Sequence, residues 1–353
     1  MIKDLCFEII EQCPNNCLFC SSNSNINKTR MIDLATFKKV IAFLVKKYGI
    51  EEISLSGGEP FLHPDLFEMI EYCKSSHIRT FLFTSGILKK KIFEEDVTKE
   101  IENIKQKYDN YLEQGMPKEE YDKYIQREIK RINEINNQQF SAISRMEMAY
   151  LKNIGLDKIV FDFQAWNPET YNRIMGTKNF WEYVTTSMVR AHAARLETDA
   201  HFIPTKINYQ ELPEIIEMLN YIHFNTLSIL NFVPQGRGEI NSEQLQLNED
   251  EFRQFVAIYE QEKTKFEGHI RIGIPLNGTE QHKCTAGLEK LVIKYDGTVL
   301  PCPAFKEFDP EILRKNGFKT LSIYGDLEEI KIFEGTRSEP LCKKLYKFNQ
   351  VMK

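Results

Sequence analysis

The stretch Cys13-Pro-Asn-Asn-Cys17-Leu-Phe-Cys20 packs three thiols into one short segment, in a C-x3-C-x2-C pattern. A tight loop with that spacing can turn all three thiolates inward, which suits a soft metal centre with several sulfur ligands. A cubane iron–sulfur cluster normally takes four cysteines. No fourth follows nearby, so one iron would stay open for a small-molecule ligand. The same absence counts against structural zinc, whose sites are closed by four protein ligands. Cysteine is also too scarce elsewhere in the chain for three incidental neighbours.

The flanking pattern supplies the scaffold. Asp4–Ile10 is a short apolar run suited to a buried strand, and it leads straight into the cysteine loop. Asp33 is placed to cap a helix through Tyr48, with Gly49 as stop. Strand Glu52–Ser56 runs into Ser56-Gly57-Gly58-Glu59-Pro60, Asp65 opens a helix, and strand Arg79–Thr84 follows. The rhythm resumes with a helix at Ser144–Asn153 and strand Lys158–Phe163, then a helix at Trp181–Leu196 and strand Asp199–Ile203. A helix at Glu211–Tyr221 leads to strand Thr226–Phe232 and Pro234-Gln235-Gly236-Arg237-Gly238. Strands alternating with helices predict a parallel sheet of right-handed βαβ units. The expectation is an α/β fold: a partial (β/α)6 barrel over 1–240, a closing helix and linker over 241–268, and a small C-terminal domain over 269–353. Inside the barrel, residues 88–140 break the rhythm. They are crowded with Lys and Glu, and Tyr108, Tyr111, Tyr121 and Ile125 fall in runs at helical spacing. They predict an inserted charged helical hairpin, either a solvated spacer or a lid or peptide-docking arm.

In a parallel βα barrel, functional groups gather where strands end. Gly57 and Gly58 offer bare backbone to a ligand, and Glu59 offers an acceptor for an amine. Thr84, Gln164 and Arg237 follow strands three, four and six. In the C-terminal part, Asp296-Gly297 between two apolar runs predicts a hairpin. Cys284 precedes it, Cys302 ends it, and Cys342 lies near the C-terminus.

Composition excludes several classes. The chain has 353 residues, 42% of them hydrophobic, and a net charge of −5, so it carries no general polyanion-binding signal and no nucleic acid partner is expected. No run of about 18 apolar residues exists to span a membrane. The start, MIKDLCFEII, is too short and too acidic for a signal peptide. Eight cysteines, clustered at ligand spacings, fit metal binding in a reducing cytoplasm. Cys6 and Cys73 lie in apolar stretches and are expected in the core.

Taken together, these motifs resemble the radical S-adenosylmethionine (SAM) family over most of residues 4–240. The three-cysteine loop with Phe19 before its last cysteine is similar to the family's signature, and SGGEPFLHPDL to its second motif. NPETYNRIMGT and FVPQGRG resemble later segments. The resemblance implies that Cys13, Cys17 and Cys20 hold a [4Fe-4S] cluster whose open iron takes the amine and carboxylate of SAM. It implies that Gly57, Gly58 and Glu59 line the amine, Phe19 lies near the adenine, and Arg173 meets the SAM carboxylate, with Thr84 and Gln164 as further contacts. One electron, from a donor such as flavodoxin or ferredoxin, would then cleave SAM to a 5′-deoxyadenosyl radical that takes hydrogen from a substrate. The chain departs from the family after strand four, where it reads Asp162-Phe163-Gln164-Ala165; an acidic Asp162 would repel the SAM carboxylate.

The C-terminal part resembles the twitch and SPASM auxiliary-cluster domains. That resemblance implies a second, auxiliary [4Fe-4S] cluster on Cys284, Cys302 and Cys342, in a twitch-like arrangement. The fourth ligand stays open between His282, water and substrate. Leu345 stands where a further cysteine would be expected. Relatives of this kind modify ribosomally made peptides or small metabolites. The expected function is therefore oxidative maturation of a peptide, such as cross-linking or epimerisation. A small-molecule dehydrogenase, epimerase or carbon–carbon ligating enzyme is the second reading, and a SAM-binding iron–sulfur sensor without turnover the third. The chain begins at strand one, which counts against the N-terminal leader-binding domain that many peptide maturases carry.

Overall fold

The computed structural model describes residues 1–89, 94–136, 140–274, 276, 284–306, 310–315 and 321–330. Cys342, Leu345 and His282 lie outside the described residues. By internal contacts the chain divides into two units, 88–141 and the remainder.

The larger unit is built on one sheet. Strands β1 (Asp4–Ile10), β2 (Glu52–Gly57) and β3 (Arg79–Thr84) are followed, beyond the second unit, by β6 (Lys158–Asp162), β7 (Glu197–Phe202) and β8 (Thr226–Leu230). These six lie side by side in chain order, all parallel. Helices α1 (Leu34–Tyr48), α2 (Leu66–Ser75), α5 (Arg145–Asn153), α7 (Trp181–Ala193) and α8 (Leu212–Tyr221) connect them. The sheet is open. Parallel strand β9 (His269–Gly273) ends it beyond β8. On the other side β10 (Lys290–Ile293) pairs parallel with β1 and turns into antiparallel β11 (Thr298–Leu300) and β12 (Leu321–Ser322). The hairpin expected at Asp296-Gly297 thus continues the sheet.

Sequence explains the helix limits. The Asp33 carboxylate accepts the Thr36 amide at 2.8 Å, and Gly49 closes α1 with φ +66°. Ser144 and Glu147 form a reciprocal capping box on α5. Helix α6 (Pro168–Met175) was not anticipated, although Asn167 caps it, Pro168 starts it and left-handed Gly176 ends it. Side chains alternate across each strand. Phe7 points to the helices, its ring 5.1 Å from Phe37 of α1, so Cys6 and Glu8 face the other way. Register carries that second face across the sheet to Ser54, Phe81, Lys158 and Glu197.

The second unit contains α3 (Glu94–Glu113) and α4 (Lys118–Asn136), a helical hairpin. Tyr108 stacks on Tyr124 at 4.4 Å and donates its hydroxyl to it at 2.7 Å, and Tyr121 donates to Asp109. Short strands β4 (Ile87–Lys89) and β5 (Phe140–Ala142) pair as a two-stranded sheet.

Candidate active site

The cysteine loop leaves the C-terminal end of β1 and is held by backbone on three sides. From β2, the Gly58 and Glu59 amides donate to the Ile10 and Gln12 carbonyls at 2.6 and 2.8 Å. A Cβ on Gly58 would meet the Gln12 oxygen at 2.0 Å, and one on Gly57 the Ile10 oxygen at 2.2 Å. Both glycines are therefore needed for strand-to-loop contact. From α6, the Ile174 and Met175 carbonyls accept the Leu18 and Asn16 amides at 2.8 and 3.0 Å, and Gly176 leaves no room for a Cβ against Asn16. From the loop after β8, Arg237 donates through Nε to the Cys17 carbonyl (2.9 Å) and through Nη2 to the Ser24 carbonyl (2.7 Å). Its amide reaches the Cys20 carbonyl at 3.0 Å, and Asn241 the Leu18 carbonyl at 3.1 Å. Arg237 is thus a clamp on the cysteine loop, which its place after strand six did not reveal.

The thiols lie together. Burial pushes Cys13 and Cys17 far up; the charges of Glu59 and Cys20 add at Cys13, and those of Cys13, Asp162 and Cys20 at Cys17. Metal binding would have to displace those protons. Among the described residues no three His, Cys, Asp or Glu side chains converge tightly enough for a single metal ion. A cubane asks for something different, since each cysteine takes its own iron corner.

Other expected residues fall in different places. Glu59 is fully buried. Its Oε1 accepts the Thr84 hydroxyl (2.7 Å) and the Phe61 amide (3.2 Å); its Oε2 accepts the Ser85 amide (2.7 Å) and hydroxyl (2.6 Å). A carboxylate has about four acceptor positions, and here all are filled by the protein. Thr84 is committed as well, accepting the Gly86 amide at 2.9 Å. The Gly58 carbonyl, by contrast, accepts no hydrogen bond among the described residues. Gln164 is buried in a knot between β6 and β7: Nε2 donates to Asp162 and to the His201 carbonyl, and Oε1 accepts the Ile203 amide at 2.9 Å. Phe19 is half-buried, its carbonyl 3.1 Å from where a Cβ of Gly238 would stand. Arg173 is exposed on α6 and is not brought to the cysteines.

Tyr171 points inward from that helix, two residues and about 200° away. It is fully buried, and its hydroxyl has no hydrogen-bond partner. Burial raises it, and the charges of Asp162, Cys17, Glu59 and Cys13 push the same way. Asn15 Oδ1 in the loop and Ser24 Oγ just after it are also buried without partners. Three such atoms, in the cysteine loop, just after it and on the helix that holds it, fit a site that takes a further polar group, and a soft donor set fits an iron–sulfur cluster. Tyr171→Phe is expected to leave the bare chain equally stable or about 1 kcal/mol more stable, while weakening SAM binding to the cluster-loaded chain. Melting curves and equilibrium dialysis read the two effects.

Asp162 gives a pH signature. Burial pushes its carboxyl from 3.8 up to about 6, against a hydrogen bond from Gln164. A group raised in the folded state contributes stability that is complete below its unfolded value and lost as pH rises through about 6. Asp162→Asn is therefore expected to be more stable than the parent at pH 7, by about 3 kcal/mol, and close to it below pH 4. Urea titrations at both pH values check this.

Two further cysteines approach each other. Burial raises Cys302, and the nearby charge of Cys284 adds to it. The turn after Cys302 is tied to the main site: the Gln235 amide donates to the Ala304 carbonyl at 2.7 Å, and Lys306 forms a buried ion pair with Glu8, which also accepts from Ser22.

Residues 7–95 match the radical SAM superfamily. The chain carries a radical SAM domain. Among relatives, a probable GTP 3′,8-cyclase of Methanococcus aeolicus is 25% identical over 323 residues, spanning 85% of each chain. The PqqA peptide cyclase of Gluconobacter oxydans is 21% identical over 313 residues, 88% of this chain and 72% of its own. Among solved structures, Streptococcus suis SuiB bound to S-adenosylmethionine superposes with a TM-score of 0.62 at 14% identity, covering 95% of this chain and 67% of SuiB. At that identity the likeness is one of fold: an α/β radical SAM core on an open, mixed sheet. The matched segment contains the cysteine loop and the Gly57-Gly58-Glu59 turn that packs against it. No helix among the described residues is long and apolar enough to cross a membrane.

Proposed function

We propose that the chain is a radical SAM enzyme that oxidatively modifies a ribosomally made peptide. The observation that carries the reading is the clamped loop of Cys13, Cys17 and Cys20, together with the partnerless polar atoms of Asn15 in it, Ser24 just after it and Tyr171 on α6. A bound cluster with SAM supplies one-electron cleavage of the sulfonium and a 5′-deoxyadenosyl radical able to take a substrate hydrogen. The protein's own part is positional. Arg237, α6 and the Gly58 turn fix the loop. The Gly58 carbonyl is the acceptor left for the SAM amine, and the Tyr171 hydroxyl is a donor for its carboxylate. Glu59 holds Thr84 and Ser85, and so the end of β3, in place.

PqqA peptide cyclases, and SuiB, whose structure has also been determined with its precursor peptide SuiA, support a peptide substrate. Cys284, Cys302 and Cys342 would hold an auxiliary cluster, and a flavodoxin or ferredoxin of the cytoplasm would deliver the electron. The similarity to GTP 3′,8-cyclases over 85% of the chain favours a second reading, a nucleotide or other small metabolite as substrate. Mass spectrometry separates them. Reconstituted protein with SAM and dithionite should remove hydrogen from a peptide encoded beside its gene and pass deuterium from the labelled peptide into 5′-deoxyadenosine. Conversion of GTP with no change in any such peptide would overturn the first reading in favour of the second.

A further inference from the structure

The sheet face turned away from the helices carries a polar row of which the site above involves only Asp162. Asp162, His201, Ser228 and Arg271 are successive register partners on β6, β7, β8 and β9. The row begins beside the cysteines, since the Asp162 charge acts on both Cys17 and Tyr171. It ends at the open edge of the sheet, where Arg271 is exposed.

Arg271 is held rather than loose. Its Nε donates to Ser228 Oγ at 3.0 Å, and Nη2 lies 3.5 Å from His201 Nε2. Ser228 has one hydroxyl proton, and it goes to Asp199 Oδ2 at 3.0 Å, which leaves its lone pairs for Arg271. Burial together with the charges of Arg271 and Lys158 pushes His201 down to about 3, so its ring is neutral and Nε2 accepts from Arg271, which can only donate; Phe83 packs edge-on against the ring at 5.1 Å. Asp199 is itself nearly fully buried, with Oδ1 unpartnered. Yet no carboxylate pairs with the guanidinium: among the described residues Ser228 and His201 are its hydrogen-bonding neighbours, and it makes no salt bridge. Among the described residues the two terminal nitrogens keep N–H groups free in the planar fork that binds a carboxylate at two points.

We propose that Arg271 anchors the substrate by a carboxylate, the side chain of an acidic residue in the peptide. This rests on the peptide reading above. Asp199, Ser228 and His201 are positioning residues that orient the fork. From Arg271 to Asp162 is three strand spacings, about 14 Å, which an extended peptide covers in about four residues. The anchored acidic residue and the residue that loses hydrogen would thus be a few positions apart.

The test uses cluster-loaded full-length protein with SAM. Two fluorescein-labelled hexapeptides, Gly-Tyr-Gly-Gly-Glu-Gly and the same peptide with Gln for Glu, serve as probes in anisotropy titrations, with GTP as competitor. The Glu peptide is expected to bind at least tenfold more tightly than the Gln peptide. Arg271→Gln should abolish that difference, and Arg271→Lys should keep part of it. Equal binding of the two peptides by the parent, or a Glu preference that survives in Arg271→Gln, overturns the proposal. So does GTP competition that is lost in Arg271→Gln, which would assign the guanidinium to phosphate. Cleavage of SAM by the parent without peptide is measured alongside: its absence counts against the enzymatic reading, whereas the Glu–Gln comparison tests Arg271 alone.

Discussion

Gly58→Ala is expected to destabilise the chain by about 3 kcal/mol or more and to leave it unable to retain iron. The added Cβ would stand 2.0 Å from the Gln12 oxygen, 2.5 Å from the Gln12 carbonyl carbon and 2.5 Å from the Glu11 oxygen. All three are backbone atoms of the segment that joins β1 to the cysteine loop, so no side chain can rotate away. The backbone at Gly58, unlike that of Gly57 at φ +133°, is not in the left-handed region. The effect is therefore one of contact, not of conformational freedom. Relief requires β2 and the loop to separate, which breaks the 2.6 Å bond from the Gly58 amide to Ile10 and displaces Cys13. Urea unfolding of the bare chain and iron per chain after reconstitution are the two readouts. A variant with the parent's midpoint and full iron content would show that the close approach is not needed.

Glu59→Gln comes next in size, at about 2–4 kcal/mol. Each carboxylate oxygen of Glu59 receives one backbone amide, Phe61 on Oε1 and Ser85 on Oε2. Whichever way a glutamine amide is turned, its NH2 faces one of those N–H groups, and a backbone donor cannot be reoriented. The hydroxyls of Thr84 and Ser85 can adapt; the amides cannot. The end of β3 would shift, and SAM affinity would fall with stability. Burial holds the Glu59 carboxyl up at about 6 despite these hydrogen bonds, so the parent loses part of its stability as pH rises through about 6, and the substitution costs less at pH 7.5 than at pH 4. Equal stability of parent and variant at pH 7.5 would mean that the four donors are not all engaged.

Much of this was legible in the sequence because the relevant signals are local. The six parallel strands follow from short apolar runs ending in turn residues, and the cysteine loop from three like residues at close spacing. What the sequence hid was long-range and often carried by backbone. Arg237 meets carbonyls more than 200 residues earlier, and a carbonyl has no residue identity to read. Glu59 looked like an open acceptor because its donors, Thr84 and Ser85, sit on the next strand. Arg173 was expected at the site by motif alone, whereas helical geometry turns Tyr171 inward and Arg173 outward. Helix α6 is the exception: Asn167, Pro168 and Gly176 marked both its ends locally and were overlooked. Arg271 carried no motif at all. Its neighbours come together only through the register of β7, β8 and β9.

The central claim is that Cys13, Cys17 and Cys20 serve reductive cleavage of SAM. The most direct measurement is 5′-deoxyadenosine and methionine formed anaerobically by iron- and sulfide-reconstituted protein with SAM and dithionite. The account predicts both products in equal amount, and none from Cys13→Ala, Cys17→Ala or Cys20→Ala. Protein that holds about four or more irons per chain and still forms no 5′-deoxyadenosine would contradict it.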